Sequence, residues 1–489
     1  MAAYTGILGI VSILALAFAL SNQRRAINWR LVTCGLCLQI ILAVFILRVP
    51  MGRKLFQVVG HGVEVLLQYS DAGAGFVFGP LVSDTAKMTE LFGPAGAFIF
   101  AFKLVPTIIF VSALASIAYH IGLLPWVIRH MARWIDFIMG ASGSEALSNS
   151  ASVFVGQIEA QLLIKPYVST LTMSEMLAVM SGSMACIAGG VMAVYIQMGI
   201  PASYLMAASL MAIPGSLVIS KLMYPETEKS PTQGEVKITL EHQTLNLIDA
   251  ITRGASEGLK IGLTVCAVLI AFVALIAMAN GLVGMLGVQL AQWIDPASEY
   301  PVLWGMDLNH LTLDVILGRL FKWVALLLGV APQDADAVGA LMGTKLILNE
   351  FVSYSQLAPM IRDGAMDPRS IVIATFALCG FANLGSVAMQ IGGIGEMAPN
   401  RKGDLAKLGL KALLCGTMAS YLSSALAGVL SVTSGSGTVV ANGAVMFLFC
   451  LAMAVLIGVN WVHHTTKHRR PRFQDRLDKI RDEQMSRPV

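Results

Sequence analysis

The chain has 489 residues, of which 56% are hydrophobic and only 13% are charged, with a formal net charge of +4. Soluble proteins carry roughly 25% charged residues, and the mean hydropathy of this chain is +0.73. The composition excludes an ordinary soluble protein and predicts an all-α polytopic membrane protein, because the apolar runs are continuous and do not alternate. The basic residues fall between these runs and not on one face, so we expect no nucleic-acid partner.

The apolar runs predict about nine transmembrane helices and two re-entrant helical hairpins. The predicted spans are mainly apolar, with Lys103 and Pro106 interrupting the third, and cover residues 5–20, 31–47, 95–119, 177–196, 202–222, 259–282, 371–391, 408–432 and 439–462. Residues 52–68 and 289–327 mix polar and apolar segments and are predicted to lie at the membrane interface. Residues 224–256 are predicted to form a hydrophilic loop.

Basic residues set the predicted orientation in the membrane. Arg24, Arg25 and Arg30 follow the first span, and the basic cluster 467–472 follows the last. Because basic loops stay on the cytoplasmic side, we expect the amino terminus outside and the carboxyl-terminal tail in the cytoplasm, with the chain in the inner (plasma) membrane. The amino terminus has no basic segment before its apolar run, so it is predicted to be a retained span and not a cleaved signal peptide.

Two polar islands interrupt the apolar sequence. The first is Gly156-Gln157-Ile158-Glu159, and the second is Asn349-Glu350. Ionisable residues in membrane sequence are costly and mark a functional site by default. Each island is followed, about 30–35 residues on, by a glycine-broken apolar segment of the kind found in interrupted helices. These segments are residues 185–191 and 379–386.

A hairpin, a broken helix and a helix are therefore predicted twice. The charge pattern opens the first hairpin (145–167) to the cytoplasm and the second (338–357) to the outside, which predicts an inverted-topology repeat with its substrate site near the middle of the membrane. The predicted domains are scaffold and interfacial helices (1–140), transport repeat 1 (141–223), a cytoplasmic loop with a scaffold helix and interfacial segment (224–335), transport repeat 2 (336–432), and an extra helix with a basic tail (433–489).

Six polar residues of these segments are candidates for ligand binding: Gln157, Glu159, Asn349, Glu350, Asn383 and Ser386. Their carboxylate, amide and hydroxyl groups match a polar, uncharged ligand that carries hydroxyls and amides. The alternative is that they hydrogen-bond with one another and hold the hairpin tips together. Lys103 and Lys345 are predicted to be structural, either neutralising a carboxylate or extending toward the membrane surface.

The motifs that contain these residues point to one family. They are Gly156-Gln157-Ile158-Glu159-Ala160, Gly343-Thr344-Lys345-Leu346 with Leu348-Asn349-Glu350-Phe351-Val352, and Ala377-Leu378-Cys379-Gly380-Phe381-Ala382-Asn383 with Ile391-Gly392-Gly393-Ile394-Gly395. Through them the chain resembles the concentrative nucleoside transporter family, as a bacterial-type member, over roughly residues 5–432. The resemblance implies a homotrimer, a scaffold domain that makes the trimer contacts, and a transport domain built from the two repeats.

The resemblance also implies roles for individual residues. The nucleobase side of the site is assigned to Gly156, Gln157, Ile158, Glu159 and Val191. The ribose side is assigned to Glu350, Phe381, Asn383 and Ser386. The coupling ion is assigned to Ser152, Val155, Cys186 and Ile187. A carboxylate is well suited to two vicinal hydroxyls, and a carboxamide can pair with the edge of a base.

The chain departs from the family pattern at three of these positions. Ile158 stands where the family usually has a hydroxyl residue, so a contact to the base is lost. Ser152 stands where sodium-coupled members carry Asn, and Cys186 where they carry Ser or Thr. Because sodium prefers hard oxygen ligands and a thiol is soft, we expect H⁺ as the coupling ion, with Na⁺ as the alternative. No organic cofactor and no certain metal site is predicted.

The sequence therefore predicts an ion-coupled secondary active symporter that imports nucleosides by alternating access, and not an enzyme. Two rival functions stay open at this point. Glu159 and Glu350 could form the acid pair of an intramembrane hydrolase, although no activated nucleophile accompanies them. A passive channel for small polar solutes would differ in being unable to accumulate its solute against a gradient.

Overall fold

The computed structural model describes residues 2–83, 85–92, 99–232, 244–294, 302–304, 306–431, 453–456 and 458–459. Almost all of the predicted last span (439–462) and the whole basic tail lie outside the described residues. The described helices are, in chain order, α1 (Ala2–Ala19), α2 (Trp29–Leu47), α3 (Pro50–Phe78), α4 (Pro80–Ser83), α5 (Thr85–Phe92), α6 (Phe100–His120), α7 (Leu123–Met139), α8 (Gly143–Ala151), α9 (Glu159–Leu162), α10 (Lys165–Val168), α11 (Met173–Ala185), α12 (Gly189–Gln197), α13 (Ala202–Met223), α14 (Leu247–Ile294), α15 (Leu313–Leu328), α16 (Ala335–Ile347), α17 (Glu350–Arg362), α18 (Pro368–Leu378), α19 (Leu384–Met397) and α20 (Lys402–Leu430).

The remaining described elements are small. Four single-turn 3₁₀ helices cover Arg24–Ala26, Leu308–His310, Pro332–Asp334 and Pro399–Arg401. Two short antiparallel strands, β1 (Val302–Leu303) and β2 (Met306–Asp307), pair Val302 with Asp307. The described chain is thus almost entirely helical, which confirms the predicted fold class.

Six helical segments of the described residues are long and apolar enough to cross a membrane. They are Trp29–Leu47, Ala101–His120, Met173–Gln197, Ala202–Met223, Leu247–Ile294 and Pro399–Leu430. Thr5–Ala19 and Pro368–Leu378 are shorter apolar helices. The total of nine spans, and the re-entrant course of the hairpins, stay predictions.

Helix α20 lies at the centre of the fold and contacts α1, α2, α11, α13, α18 and α19. Small residues permit this close packing, because an added methyl at Gly416 would lie 2.9 Å from Cβ of Met184 on α11. Gln39 joins three of the helices: its Nε2 donates to Oγ of Ser423 on α20 at 2.9 Å and to the carbonyl of Met211 on α13 at 3.3 Å. Such a bond fixes the rotation of a helix that apolar packing alone leaves free.

Helices α6 and α14 pack against each other through a row of glycines spaced four residues apart on α14. A methyl added at Gly254 or Gly258 would lie 2.7 Å or 2.6 Å from a Cα atom of α6. This small-residue spacing lets helix backbones approach closely in a membrane. Helix α14 has 48 residues and begins at Leu247. The predicted hydrophilic loop (224–256) was therefore wrong for its last ten residues, whose polar side chains belong to this helix.

The first predicted hairpin forms only in part. Ser142 and Glu145 make a reciprocal capping box that starts α8, a standard way to satisfy the first backbone N–H groups of a helix. Beyond Ala151 the chain has no regular helix until the two single turns α9 and α10. The expected second half-helix was therefore wrong, and Pro166 in α10 is one reason, since proline cannot donate the backbone hydrogen bond that a longer helix requires.

The two predicted broken helices are present. Helices α11 and α12 are separated at residues 186–188, and α18 and α19 at residues 379–383. The first break falls within the predicted segment 185–191, just before Gly189 and Gly190, which lie in the first turn of α12. The second hairpin is regular, with α16 and α17 packed together across a turn at Leu348 and Asn349. The order of elements matches the predicted repeat, whereas the inverted symmetry stays a prediction.

A segment that we call the strap, residues 224–232, covers the start of repeat 1. Thr232 accepts a bond at its carbonyl from Gly143 N at 2.9 Å, and its hydroxyl donates to Glu175 at 2.7 Å. Lys221, at the end of α13, lies 2.5 Å from the Glu145 carboxylate, and both side chains are almost fully buried. The strap and this ion pair join the first turns of α8 and α11 to the last turn of α13.

Candidate functional site

The two broken helices meet at their breaks. The backbone N–H of Phe381 donates to the carbonyl of Cys186 at 3.3 Å. Gly380, with φ of +116°, faces the end of α11 so closely that a methyl on it would lie 2.7 Å from the carbonyl oxygens of Met184 and Ala185. Only glycine combines this φ with this contact. The breaks therefore bring the two predicted halves of the site together.

Glu350 begins α17 and is held by donors from two different helices. The hydroxyl of Tyr195 on α12 donates to Oε1 at 3.0 Å, and Nδ2 of Asn383 donates to Oε2 at 3.1 Å. Asn383 is itself fixed, because its Oδ1 accepts from Ser386 N at 2.8 Å and caps α19. In the described part of the chain no cation forms a direct ion pair with Glu350, but the charge of the buried Lys345 acts on it. The two neutral hydrogen bonds fix the orientation of the carboxylate.

Gln157 occupies the corresponding place on the other island. Its Nε2 donates to the hydroxyl of Ser386 at 3.3 Å, and its Oε1 accepts from Nε2 of Gln390 at 3.3 Å. Gln390 also donates to the carbonyl of Met180 on α11 at 3.2 Å. Gln157, assigned to the base, is thus in direct contact with Ser386, assigned to the ribose. Both residues belong to one polar cluster.

The other residues assigned to the base side surround this cluster without fixed polar bonds. Ile158 packs on α19, since a methyl at Gly393 would lie 2.7 Å from its Cδ1. Glu159 lies over Gly156 and is exposed, and Val191 and Phe381 are half-buried. Glu159 begins the short helix α9, which leaves its carboxylate at the surface of the cluster.

The residues assigned to the coupling ion belong to a serine-rich network. The hydroxyl of Ser152 donates to the carbonyl of Ser148 at 2.9 Å and lies 3.1 Å from the Ser183 hydroxyl. Gln161 joins them: its Oε1 accepts from the Ser148 hydroxyl and its Nε2 donates to Ser183. The thiol of Cys186 points to the carbonyl of Ser209, at 3.8 Å. Ser152 therefore has protein partners at the place where an ion was assigned.

Two residues of the second island have structural roles. Asn349 caps α17, because its Oδ1 accepts from Val352 N at 2.9 Å. Lys345 is buried and donates to the carbonyls of Ala377 at 2.9 Å and Cys379 at 3.3 Å. The charge of Lys345 also acts on the buried Glu350 carboxylate, which supports the prediction that it neutralises a carboxylate. It satisfies the last carbonyls of α18 as well. Lys103 does pair with Asp71, at 3.3 Å.

Sequence reasoning missed Tyr195, Gln161 and Gln390. Tyr195 and Gln390 lie on mainly apolar helices, and the residues they contact lie 155 and 233 positions away in the chain. Nothing local distinguishes such residues from packing residues. The rule that buried polar groups require partners could have singled them out, but it could not have named the partners.

Comparison with known proteins adds a second line of evidence. Three family models cover the chain: "Na+ dependent nucleoside transporter N-terminus" matches residues 8–81, "Nucleoside recognition" matches 101–202, and "Na+ dependent nucleoside transporter C-terminus" matches 204–428. The nucleoside permease NupC of Helicobacter pylori is 38% identical over 86% of this chain and 96% of that protein. This chain belongs to the concentrative nucleoside transporter family.

Other members have the same extent and fold. The uncharacterized transporter YutK of Bacillus subtilis is 40% identical over 87% of this chain and 98% of its own length. The structure of CNTnw in an inward-facing, substrate-bound state superposes with a TM-score of 0.81 at 39% identity, over 89% of this chain and all of that one. A variant of CNTnw has also been solved in an outward-facing state. The chain is thus a multi-pass membrane transporter and not an enzyme, and one similar protein has been solved in an inward-facing state and, as a variant, in an outward-facing state.

Proposed function

We propose that this chain is an ion-coupled symporter that imports nucleosides across the inner membrane by alternating access. The observation that carries the proposal is the polar cluster at the crossing of the two broken helices. Glu350, Asn383 and Ser386 lie on its one side and Gln157 on the other. The cluster offers a carboxylate, hydroxyls and carboxamides, the groups that recognise a sugar joined to a base.

In the proposed complex, Glu350 accepts hydrogen bonds from two ribose hydroxyls, and Asn383 and Ser386 complete the ribose side with Phe381 against the ring. Gln157 pairs with an edge of the base, beside Gly156, Ile158, Glu159 and Val191. Glu159 has no hydrogen-bond partner among the described residues, and its exposed carboxylate faces open space, so it is available to a bound base. Charge-assisted bonds to hydroxyls are stronger than neutral ones.

Movement of the ligand would come from the two predicted repeats. Repeat 1 (141–223) and repeat 2 (336–432) would move against a scaffold formed by residues 1–140 and the helix of 224–335, in a homotrimer. The amino terminus would lie outside and the basic tail in the cytoplasm. An alkaline phosphatase fused to the carboxyl terminus should be inactive, because that enzyme requires the periplasm; an active fusion would reverse the topology.

For the coupling ion we propose H⁺, with Na⁺ as the alternative. The hydroxyl of Ser152 is engaged by Ser148 and Ser183, and the soft thiol of Cys186 points to α13. A Na⁺ ion at this place would rely on the backbone carbonyls near Val155 and Ile187, since sodium prefers hard oxygen ligands. The family models describe Na⁺-dependent transporters, which is the argument for the alternative.

Uptake of labelled uridine into proteoliposomes tests the proposal. With an inward pH gradient in sodium-free buffer, we expect accumulation above the outside concentration that a protonophore abolishes. Accumulation that requires sodium and ignores the protonophore would establish the Na⁺ alternative. Uptake that only equilibrates would indicate a channel, and no uptake of any nucleoside would contradict the proposed substrate. The Glu350→Gln variant, in the same vesicles, is the control for a carrier that is present but impaired.

A further inference from the structure

A pocket of about 450 Å³ lies away from the polar cluster, where five helices end. It is lined by the last turns of α2 and α20 and by the first turns of α3, α13 and α18. Three arginines line it: Arg48, Arg53 and Arg369. Gln57 and Ser203 add neutral hydrogen-bonding groups, and no acidic residue is among the described lining residues.

The positive charge of this pocket is offset only in part, by Asp367 acting on Arg369. Nε and Nη2 of Arg48 are buried and have no hydrogen-bond partner in the described part of the chain. Burial, and next the charge of Arg53, lower the pKa of Arg48, although a guanidinium stays charged at neutral pH. The nearest acidic residue in sequence, Asp367, uses its Oδ1 to cap α18 through Arg369 N at 2.8 Å. Buried donors without partners cost free energy, which an anion in the pocket would recover.

Helix ends favour the same sign of ligand. The first turns of α3, α13 and α18 line the pocket, and the amino-terminal ends of helices attract anions. The last turns of α2 and α20 oppose them with roughly half a negative charge each. The three guanidinium groups outweigh this opposition, so the pocket as a whole is strongly electropositive.

The position of the pocket indicates where the anion comes from. Three apolar helices long enough to span a membrane, α2, α13 and α20, end at the pocket. This is the level at which lipid headgroups lie. On α3, next to Arg53, the side chains of Met51, Leu55 and Val58 are exposed. An apolar surface beside a basic pocket matches a molecule with an acyl chain and a charged headgroup.

We propose that this pocket binds a phosphate group, supplied either by the headgroup of an anionic phospholipid or by a free phosphate ester. Arg48 and Arg53 would bind the phosphate oxygens in the bidentate manner that guanidinium groups allow. A bound headgroup would join α2 and α3 to α13 and α18. The site is distinct from the nucleoside site and does not depend on the proposed transport function.

Binding to the purified full-length chain in neutral detergent tests the site, with native mass spectrometry as the readout. The probes are phosphatidylglycerol, phosphatidylcholine and inorganic phosphate, each titrated separately. The variants are Arg48→Gln and Arg53→Gln. The matched control is Lys54→Gln, which removes a positive charge from the residue next to Arg53 that does not line the pocket.

We expect phosphatidylglycerol to bind more tightly than phosphatidylcholine, and each arginine variant to weaken it by about tenfold or more, with Lys54→Gln unchanged. If inorganic phosphate binds with the same dependence on the arginines, the free ester is the source. The site is refuted if the binding of phosphatidylglycerol and that of inorganic phosphate are both independent of the arginines. It is also refuted if Lys54→Gln weakens binding as much as Arg53→Gln. Arg53 is exposed, so its variant decides the test if Arg48→Gln does not fold.

Discussion

The hydroxyl of Tyr195 donates a hydrogen bond of 3.0 Å to the carboxylate of Glu350, across 155 residues of sequence. Tyr195 belongs to the broken helix of repeat 1, and Glu350 to the hairpin of repeat 2. The ring of Tyr195 also packs on Tyr354 at a centroid distance of 4.5 Å. A residue of the opposite repeat therefore orients the Glu350 carboxylate, which we propose to bind the ribose. This makes Tyr195 a positioning residue.

Tyr195→Phe removes one of the two donors that orient Glu350 and keeps the ring. Hydrogen bonds to charged groups contribute about 1.5–3 kcal/mol, so we expect uridine uptake efficiency to fall by about tenfold or more. Discrimination between uridine and 3′-deoxyuridine should shrink as well, because the carboxylate is free to rotate. Tyr354→Phe is the matched control: its hydroxyl donates to the carbonyl of Thr375, so it should lower stability and leave discrimination unchanged. If both variants discriminate equally between uridine and 3′-deoxyuridine, Tyr195 does not position the Glu350 carboxylate.

Glu350→Gln should abolish or severely reduce uptake while the protein still folds. The new amide can keep its oxygen toward Asn383 and turn its nitrogen to the Tyr195 oxygen, so the local bonds are conserved. The negative charge toward the ligand is lost, at a cost of about 1.5–3 kcal/mol in binding. Nucleoside binding by calorimetry, beside a melting curve, separates these effects. Near-normal uptake would show that Glu350 does not contact the ribose.

Gly380→Ala should disturb the crossing of the broken helices. Its φ of +116° is unfavourable for alanine, and the new methyl would lie 2.7 Å from two carbonyl oxygens. Backbone strain of this kind costs about 1–3 kcal/mol, and the contact adds to it. Gly392→Ala, where the added methyl meets nothing within 4 Å, is the control and should be neutral. A melting temperature for Gly380→Ala equal to that of the control would contradict the tight crossing.

Lys221→Met should destabilise the start of repeat 1, because it leaves the buried Glu145 carboxylate without its cation. Breaking a buried pair costs about 3–5 kcal/mol. The double variant Lys221→Met with Glu145→Gln should recover much of the loss. Arg253→Gln breaks an exposed pair with Asp249 and should cost less than about 1 kcal/mol. Thermal unfolding measures all three variants. No recovery in the double variant would mean that Lys221 acts mainly through its contact with Glu226 of the strap, at 3.4 Å.

Ile158→Thr should change the ratio of purine to pyrimidine nucleosides taken up. Isoleucine cannot hydrogen-bond to a base, and its replacement restores a hydroxyl beside Gln157. The side chain packs near Gly393, on the helix that also carries Ser386 and Gln390. Competition assays with several nucleosides give the ratio. An unchanged ratio would mean that the side chain faces α19 alone.

Much of the fold follows from local signals. A few adjacent residues determine the capping boxes at Ser142 and Thr172 and the break at Gly380. Long apolar runs predict helices for the same reason. The course of the first hairpin was not predictable to that degree, because short turns such as α9 and α10 depend on the packing around them.

The candidate site was predictable where a polar residue interrupts an apolar run, as at Gln157 and Glu350. The same signal also selected Asn349, whose carboxamide caps a helix. A polar residue at a helix start looks alike in sequence whether it binds a ligand or the backbone. Asn383 caps a helix through Oδ1 and also donates to Glu350 through Nδ2. Only the fold separates these cases.

The length of α14 has a geometric consequence. At about 1.5 Å per residue its 48 residues measure about 72 Å, more than twice the roughly 30 Å of a bilayer core. Each end therefore lies about 36 Å from the midpoint, and a rotation of about 10° around that midpoint moves it by about 6 Å. A tilt of α14 that hardly moves its residues at the membrane centre therefore displaces its two ends by a measurable distance. A pair of spin labels, one at an end of α14 and one on a neighbouring helix, would measure that tilt as a change in distance.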